Sequence, residues 1–136
     1  MALGVAIGVF AAFVPVFGFQ LGLAAVGAWL LGANVVAALL GTFVGNPVTW
    51  PLMWLSSYKL GAVLLGREDL GPEITSAIDR IGASLVAMSP DALSEGGRLL
   101  LPILGAMTVG AIPVGLIVAA AAYMLARRIL QTHAPD

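Results

Sequence analysis

The sequence predicts an all-α integral membrane protein whose helices are interrupted inside the membrane. The first 58 residues contain no Asp, Glu, Lys, Arg or His, and a second uncharged run extends from 99 to 126. Clusters of proline and glycine break the first run twice, at 15–18 and at 45–51. A bilayer core about 30 Å thick requires roughly 20 apolar residues of helix, so each piece of the first run is too short to cross alone.

Composition excludes several functional classes. Charged residues make up 10% of the chain, well below the roughly 25% that is usual in soluble domains. The net charge of −1, without a basic cluster, argues against a nucleic-acid ligand. Cysteine is absent and the single histidine, His133, lies in a polar tail, so neither thiolate chemistry nor a metal site is predicted. We therefore expect a protein that is not an enzyme and needs no cofactor.

Four half-length helices, arranged in two pairs, are predicted in residues 1–66. Proline breaks each pair because it lacks an amide hydrogen and clashes with the preceding turn. Each pair is then either a re-entrant hairpin, which enters and leaves the membrane on the same side, or a broken helix that continues across it. We favour hairpins. Gly32 to Asn34 is predicted to end the second helix with a C-cap and turn. The predicted helices are 2–14, 20–31, 35–44 and 52–65.

The two pairs resemble each other at offsets of 32 to 34 residues. Gly8-Val9-Phe10 matches Gly41-Thr42-Phe43, and 26–32 matches 60–66. Internal repeats are common in transporters, whose substrate sites lie between discontinuous helices. The alternative is that segments so rich in Gly, Ala, Val and Leu align by composition alone. Small residues four apart permit close helix contact, within the chain or between chains, at Gly4/Gly8, Gly18/Gly22 and Gly41/Gly45.

Residues 67–98 carry three basic and six acidic side chains and are predicted to face water. An amphipathic helix is expected from 72 to 85, lying on the membrane surface or capping the bundle. Ser89 is predicted to be the N-cap of another short helix that starts at Pro90.

Residues 99–128 are predicted to form one transmembrane helix, tilted or kinked at Pro113 and followed by a polar tail, 129–136. Arg127-Arg128 ends the span, and the positive-inside tendency then places the C-terminus in the cytoplasm. Trp54 and Tyr58, next to Lys59, are interpreted as an interfacial aromatic belt.

Uncharged polar side chains near the two breaks form the candidate site. A polar group in lipid requires a partner. In one interpretation, these side chains satisfy backbone groups that the prolines leave free. In the other, they and the N-termini of the half-helices bind an anionic group such as a phosphate. The candidate ligand-binding residues are Pro15, Gly18, Gln20, Asn46, Pro47, Thr49 and Trp50, of which Trp50 is the aromatic residue expected to line a cavity.

Both break motifs resemble a known family. FVPVFGFQ at 13–20 and GNPVTWP at 45–51, after the lead-in at 3–10, resemble the bacterial membrane family catalogued as domain of unknown function 2062. The resemblance covers 2–65. It implies an integral inner-membrane protein without an assigned reaction. Some members are joined to glycosyltransferase domains that use polyprenyl-phosphate carriers, which points toward the handling of lipid-linked sugars.

We therefore expect a small multi-pass protein of the bacterial inner membrane that transports or handles lipids at the helix breaks. Its expected ligand is a polyprenyl-phosphate-linked or other anionic amphiphile. Its expected partners are the lipid bilayer and either further copies of the chain, as a homo-oligomer, or another membrane protein. The alternative is a non-catalytic membrane scaffold or accessory subunit of a larger complex. A polar cavity at the breaks favours the first function, and dry packing there favours the second.

Overall fold

The computed structural model describes residues 1–15, 18–67, 76 and 90–132, and all regular structure in these residues is helical. The amphipathic helix predicted at 72–85, except for residue 76, lies outside the described residues, as do the N-cap predicted at Ser89 and the tail from His133. The helices are α1 (Ala2–Phe13), α2 (Phe19–Leu30), α3 (Val35–Gly41), followed by a 3-10 helix (Thr42–Val44), α4 (Trp50–Leu64) and α5 (Pro90–Thr132).

Helix α5 is 43 residues long and continues through Pro102 and Pro113. The short helix predicted to start at Pro90 and the helix predicted from 99 are therefore one element. The change from charged to uncharged residues between 98 and 99 is therefore not a boundary of secondary structure. The helix also extends into the predicted tail. Within it, Leu100–Thr132 is long and apolar enough to cross a membrane, and no other helix of the described residues is.

Helices α2 and α4 end in the same local structure. Gly32 and Gly66 have φ angles of 63° and 67°. The amide of Ala33 donates to the carbonyl of Ala28 over 2.7 Å, and an equivalent bond encloses Gly66. This is the Schellman cap, in which glycine adopts the left-handed conformation without a steric penalty. The C-cap predicted at Gly32 is confirmed.

The turn after Gly32 leads directly into α3. The side-chain oxygen of Asn34 accepts a hydrogen bond of 2.8 Å from the amide of Ala37, so Asn34 is the N-cap of this helix. An N-cap oxygen satisfies one of the amides that a helix start leaves without an intrahelical partner.

Helices α1 and α3 run parallel and contact each other through small residues. An added Cβ on Gly8 would lie 2.8 Å from the Cα of Gly41, so only glycine permits this approach. The facing residues are 33 positions apart in the sequence, which lies within the 32 to 34 residues of the predicted repeat, and the two helices pack in register. The facing positions are Gly4 with Ala37, Gly8 with Gly41, and Ala12 with Gly45.

Helix α2 folds back along α1. A Cβ on Gly27 would lie 3.2 Å from the side chain of Ile7, and Val14 shares a surface groove with Gly22 and Leu23. Late residues of α1 thus face early residues of α2, so the first pair is an antiparallel hairpin. Four alanines are buried where α1, α2 and α3 meet: Ala11, Ala24, Ala28 and Ala38.

Helix α4 does not return along α3; these two helices, both fully described, make no contact. It packs antiparallel on α5, where Gly61 faces the carbonyl of Ala106 and Gly110 faces the carbonyl of Ser57. A Cβ on Gly110 would lie 2.6 Å from the amide nitrogen of Gly61. The hairpin favoured for both pairs is therefore present in the first pair and not in the second.

Helix α1 packs on the stretch of α5 that comes after the contact with α4. A Cβ on Gly115 would lie 3.1 Å from the ring of Phe10. Phe13 from the end of α1 and Met53 from the start of α4 are buried in one cluster with Ala111 of α5. Because α1 and α4 lie end to end along α5, the broken ends of both helices meet beside Ala111.

Large apolar side chains are exposed on every helix. Phe19, Trp29 and Ile117 are 74%, 73% and 70% exposed. Within the most apolar stretch of α5, 28% of the residues are buried, whereas the core helix of a soluble protein is mostly buried. Continuous apolar surface of this kind is typical of a face that contacts a membrane or another protein.

We expect Gly110→Ala to lower the free energy of unfolding by about 1–3 kcal/mol, because the new methyl group would meet the backbone of α4. Gly105→Ala, in the same helix, is the matched control, since nothing lies within 4 Å of its added Cβ. This control should be neutral or stabilising by up to about 1 kcal/mol. Thermal unfolding in detergent measures both, and equal melting temperatures would contradict the close crossing of α4 and α5.

Candidate functional site

The structure brings the two breaks together. An added Cβ on Gly45 would lie 3.1 Å from the Cβ of Ala12, which is one residue before the end of α1. Helix α2, which follows the first break, also contacts the 3-10 helix that precedes the second. The candidate residues therefore occupy neighbouring segments, although the two breaks are about 30 positions apart in the sequence.

At the first break, α1 ends at Phe13, and the amide of its C-cap, Val14, donates to the carbonyl of Ala11 over 3.2 Å. Pro15 follows and is half-buried. Gly18 has a φ of 83° and precedes α2 without a side-chain cap. Such a left-handed conformation favours glycine, which explains the glycine of the motif.

Gln20 lies in the first turn of α2 and is half-buried. Among the described residues its carboxamide has no hydrogen-bond partner. A carboxamide offers two N–H donors and one acceptor oxygen. Gln20 therefore contributes unused hydrogen-bonding groups beside the first break.

At the second break, the side chains of Asn46 and Thr49 bond to the turn itself. Oδ1 of Asn46 accepts from the amides of Val48 and Thr49 at 2.9 and 3.2 Å. Oγ1 of Thr49 donates to the carbonyl of Val44 at 2.6 Å and accepts from the amide of Asn46 at 3.0 Å. These bonds satisfy backbone groups between two helices, as the structural interpretation of the polar cluster expects.

The side-chain nitrogen of Asn46 remains available. Its Oδ1 holds two bonds, and within the described part of the chain Nδ2 donates to nothing. Asn46 is half-buried, next to the exposed Pro47. One half of this carboxamide therefore shapes the turn, while the other half can donate to a ligand.

Trp50 begins α4 and is half-buried. Its ring stacks on that of Trp54, with the centroids 5.9 Å apart and the planes within 4°. Its indole nitrogen lies close to Gly45, where an added Cβ would be 3.3 Å away. The stack fixes Trp50 against the second break and occupies one face of its ring.

An apolar groove of about 490 Å³ lies beside the first break. None of the predicted site residues lines it, although Pro15 and Gly18 are adjacent in sequence to lining residues. The groove is open at Gly22, where nothing lies within 4 Å of an added Cβ. Glycine on an otherwise bulky apolar face was the sequence signal for it. The lining residues are Val14, Phe19, Gly22, Leu23 and Val26.

No group of three or more His, Cys, Asp or Glu that could hold a metal ion occurs among the described residues. The chemistry available at the breaks is therefore that of neutral donors and acceptors beside an apolar surface. Such a site can bind and orient a molecule that has a polar and an apolar part.

The described residues form an all-helical fold, in which one helix is long and apolar enough to cross a membrane. By sequence, the chain belongs to the family described as "Uncharacterized protein conserved in bacteria (DUF2062)", whose model matches residues 1–135. This confirms the resemblance found in the two break motifs and extends it over nearly the whole chain. No curated protein and no solved structure matches the chain.

We expect Thr49→Val to lower the free energy of unfolding by about 1–3 kcal/mol, because the Val44 carbonyl and the Asn46 amide would both lose their partner. Thr108→Val is the matched control: its hydroxyl donates over 2.7 Å to the carbonyl of Leu104 within the same helix. That carbonyl keeps its helical bond, so the control should change stability little. Thermal unfolding in detergent compares the two, and similar effects would contradict a specific role of Thr49 in the turn.

Proposed function

We propose that the chain is a multi-pass integral membrane protein of the bacterial inner membrane and that α5 crosses this membrane. The apolar surface exposed on all five helices supports this, together with the absence of charge in 1–58 and 99–126. In water so much exposed apolar surface is unfavourable, whereas in lipid it contacts acyl chains.

The breaks then lie near the middle of the bilayer. The uncharged run of α5, 99–126, is roughly 42 Å long at about 1.5 Å per residue. Its middle falls at Ile112 and Pro113, next to Ala111, beside which the ends of α1 and α4 meet. Irregular backbone at this depth is tolerated where protein or a cavity satisfies its polar groups. The bonds of Asn46 and Thr49 supply that satisfaction.

The two pairs then differ in topology. The hairpin of α1 and α2 is re-entrant and opens toward the end of α5 that carries Arg127. Helices α3 and α4 form a broken helix that crosses, because α4 continues along α5 toward Arg98. By the positive-inside tendency, the Arg127 end and the C-terminus face the cytoplasm.

Single cysteines test this topology, since the chain has no native cysteine. We expect Leu31→Cys and Thr132→Cys to react with an impermeant maleimide from the cytoplasmic side, and Arg67→Cys from the other side. Leu31 and Arg67 are both exposed, at the ends of the two pairs. Labelling of the Leu31 and Arg67 variants from the same side would contradict the combination of a re-entrant hairpin and a crossing helix. Recovery of the protein in a soluble fraction without detergent would contradict membrane insertion.

As its function, we propose the binding and transfer of an anionic amphiphile, such as a polyprenyl-phosphate-linked molecule, at the breaks. One observation is central: Gln20 and Asn46 lie at two neighbouring breaks, each carries carboxamide groups without a partner among the described residues, and an apolar groove adjoins the first break. The carboxamide nitrogens can donate to phosphate oxygens, and the groove can hold an apolar chain. The amides at the start of α2 add a partial positive charge.

The second candidate is a non-catalytic scaffold or accessory subunit that binds another membrane protein or further copies of the chain. The apolar lining of the groove and the bonds within the second break support it, since both are consistent with dry packing. The exposed Gly22 on α2 offers a site of close approach for a helix of the partner.

Replacing Gln20 distinguishes the two functions. We expect Gln20→Leu to weaken binding of farnesyl phosphate to the purified protein at least tenfold, since a hydrogen bond to a charged group contributes about 1.5–3 kcal/mol. Its melting temperature in detergent should stay close to that of the wild type, because the carboxamide has no partner among the described residues. Farnesol, which lacks the phosphate, is the ligand control. A variant that melts early and loses binding in proportion would favour the scaffold.

A further inference from the structure

Lys59 is the one charged residue in 1–66. It lies on α4, and its side chain is exposed. Leu52, Leu55 and Val63, on the same side of the helix, are 72%, 50% and 62% exposed. Residues spaced by three and four lie on one face, so the lysine interrupts an apolar stripe.

The packing of α4 on α5 gives the depth of Lys59. Ser57 faces Gly110 and Gly61 faces Ala106, so Lys59, midway between Ser57 and Gly61, is level with Thr108. Thr108 is about 7 Å from the middle of the uncharged run at 1.5 Å per residue. With a core about 30 Å thick, the Cα of Lys59 is then about 8 Å inside the boundary, a longer distance than its four-carbon stem extends. This placement differs from the interfacial aromatic belt expected at Trp54 and Tyr58, because it puts both residues inside the core, and Tyr58 is buried.

The segments that pack around this lysine in the described structure carry no carboxylate, because 1–67 and 99–126 contain no Asp or Glu. Among the described residues no hydrogen bond or ion pair involves the Lys59 ammonium. A cation at this depth without a partner is unfavourable, so intramembrane lysines mark binding sites for anions or ion paths.

We propose that Lys59 binds the phosphate of an anionic membrane lipid whose acyl chain lies along the stripe toward Leu55 and Leu52. The stripe leads to Val48, which is 86% exposed at the second break. The lipid therefore has its headgroup on the Arg67 side, drawn inward to the Lys59 ammonium, and its chain directed at the middle of the bilayer. This inference depends on the proposed membrane placement of α5 and not on ligand binding at the breaks.

Native mass spectrometry of the detergent-solubilised protein, titrated with phosphatidylglycerol and phosphatidylcholine, tests the proposal. We expect Lys59→Gln to weaken phosphatidylglycerol binding about fivefold, the effect of one cation near an anionic lipid surface. Lys59→Arg should retain binding, because the charge remains. Arg128→Gln, which removes an exposed cation at the other end of α5, is the matched control and should lower the affinity less than Lys59→Gln does.

Two outcomes would overturn the proposal: unchanged phosphatidylglycerol binding by Lys59→Gln, or an equal loss for phosphatidylcholine, which would indicate packing and not charge. Competition by millimolar inorganic phosphate would show that the headgroup alone is recognised and would overturn the role of the stripe. Lys59 is exposed, so the variant should melt like the wild type without lipid. The cysteine labelling and Gln20→Leu test the membrane placement and the breaks separately.

Discussion

Backbone contact at glycine is the interaction on which the arrangement of the helices depends. At Gly8 and Gly41, and again at Gly61 and Gly110, an added Cβ would meet backbone atoms of the facing helix. Backbone atoms cannot yield without a shift of the whole helix. Ser57, at the second crossing, is 1% exposed, and its hydroxyl has no partner among the described residues, which indicates that small size is what this position requires. Close packing of small residues does not depend on moving apolar surface out of water, so it also stabilises helix contacts in lipid.

The in-register contact of α1 and α3 places both breaks at one level, because Ala12 lies against Gly45. The direction after each break is then determined by the helix on which the next segment packs. Gly27 faces Ile7 and keeps α2 beside α1, whereas Gly61 faces α5 and draws α4 away. Proline ends a helix in both cases but does not specify whether the chain returns or continues.

Local sequence therefore predicts the helix ends better than the path between them. Gly18 and Gly32 act within a few residues through their own φ angles, and the motifs around them are sufficient to predict a turn. Glycine contacts between helices are less specific in sequence. Gly18 and Gly22 have the same spacing as Gly4 and Gly8, yet nothing lies within 4 Å of a Cβ added to either of the former. Proline is similarly ambiguous, since α5 continues through two prolines.

The sequence was sufficient to select the residues of the candidate site. It could not show which of their side chains bond to the turn and which are available to a ligand. Gln20, Asn46 and Thr49 all lie within a few residues of a proline, and composition treats them alike. The hydrogen bonds separate them: Thr49 is engaged in the turn, Gln20 has no partner among the described residues, and Asn46 uses its oxygen and not its nitrogen. A carboxamide can satisfy freed amides with one end and donate to a ligand with the other. The structural and functional interpretations of the second break are therefore compatible within the single side chain of Asn46.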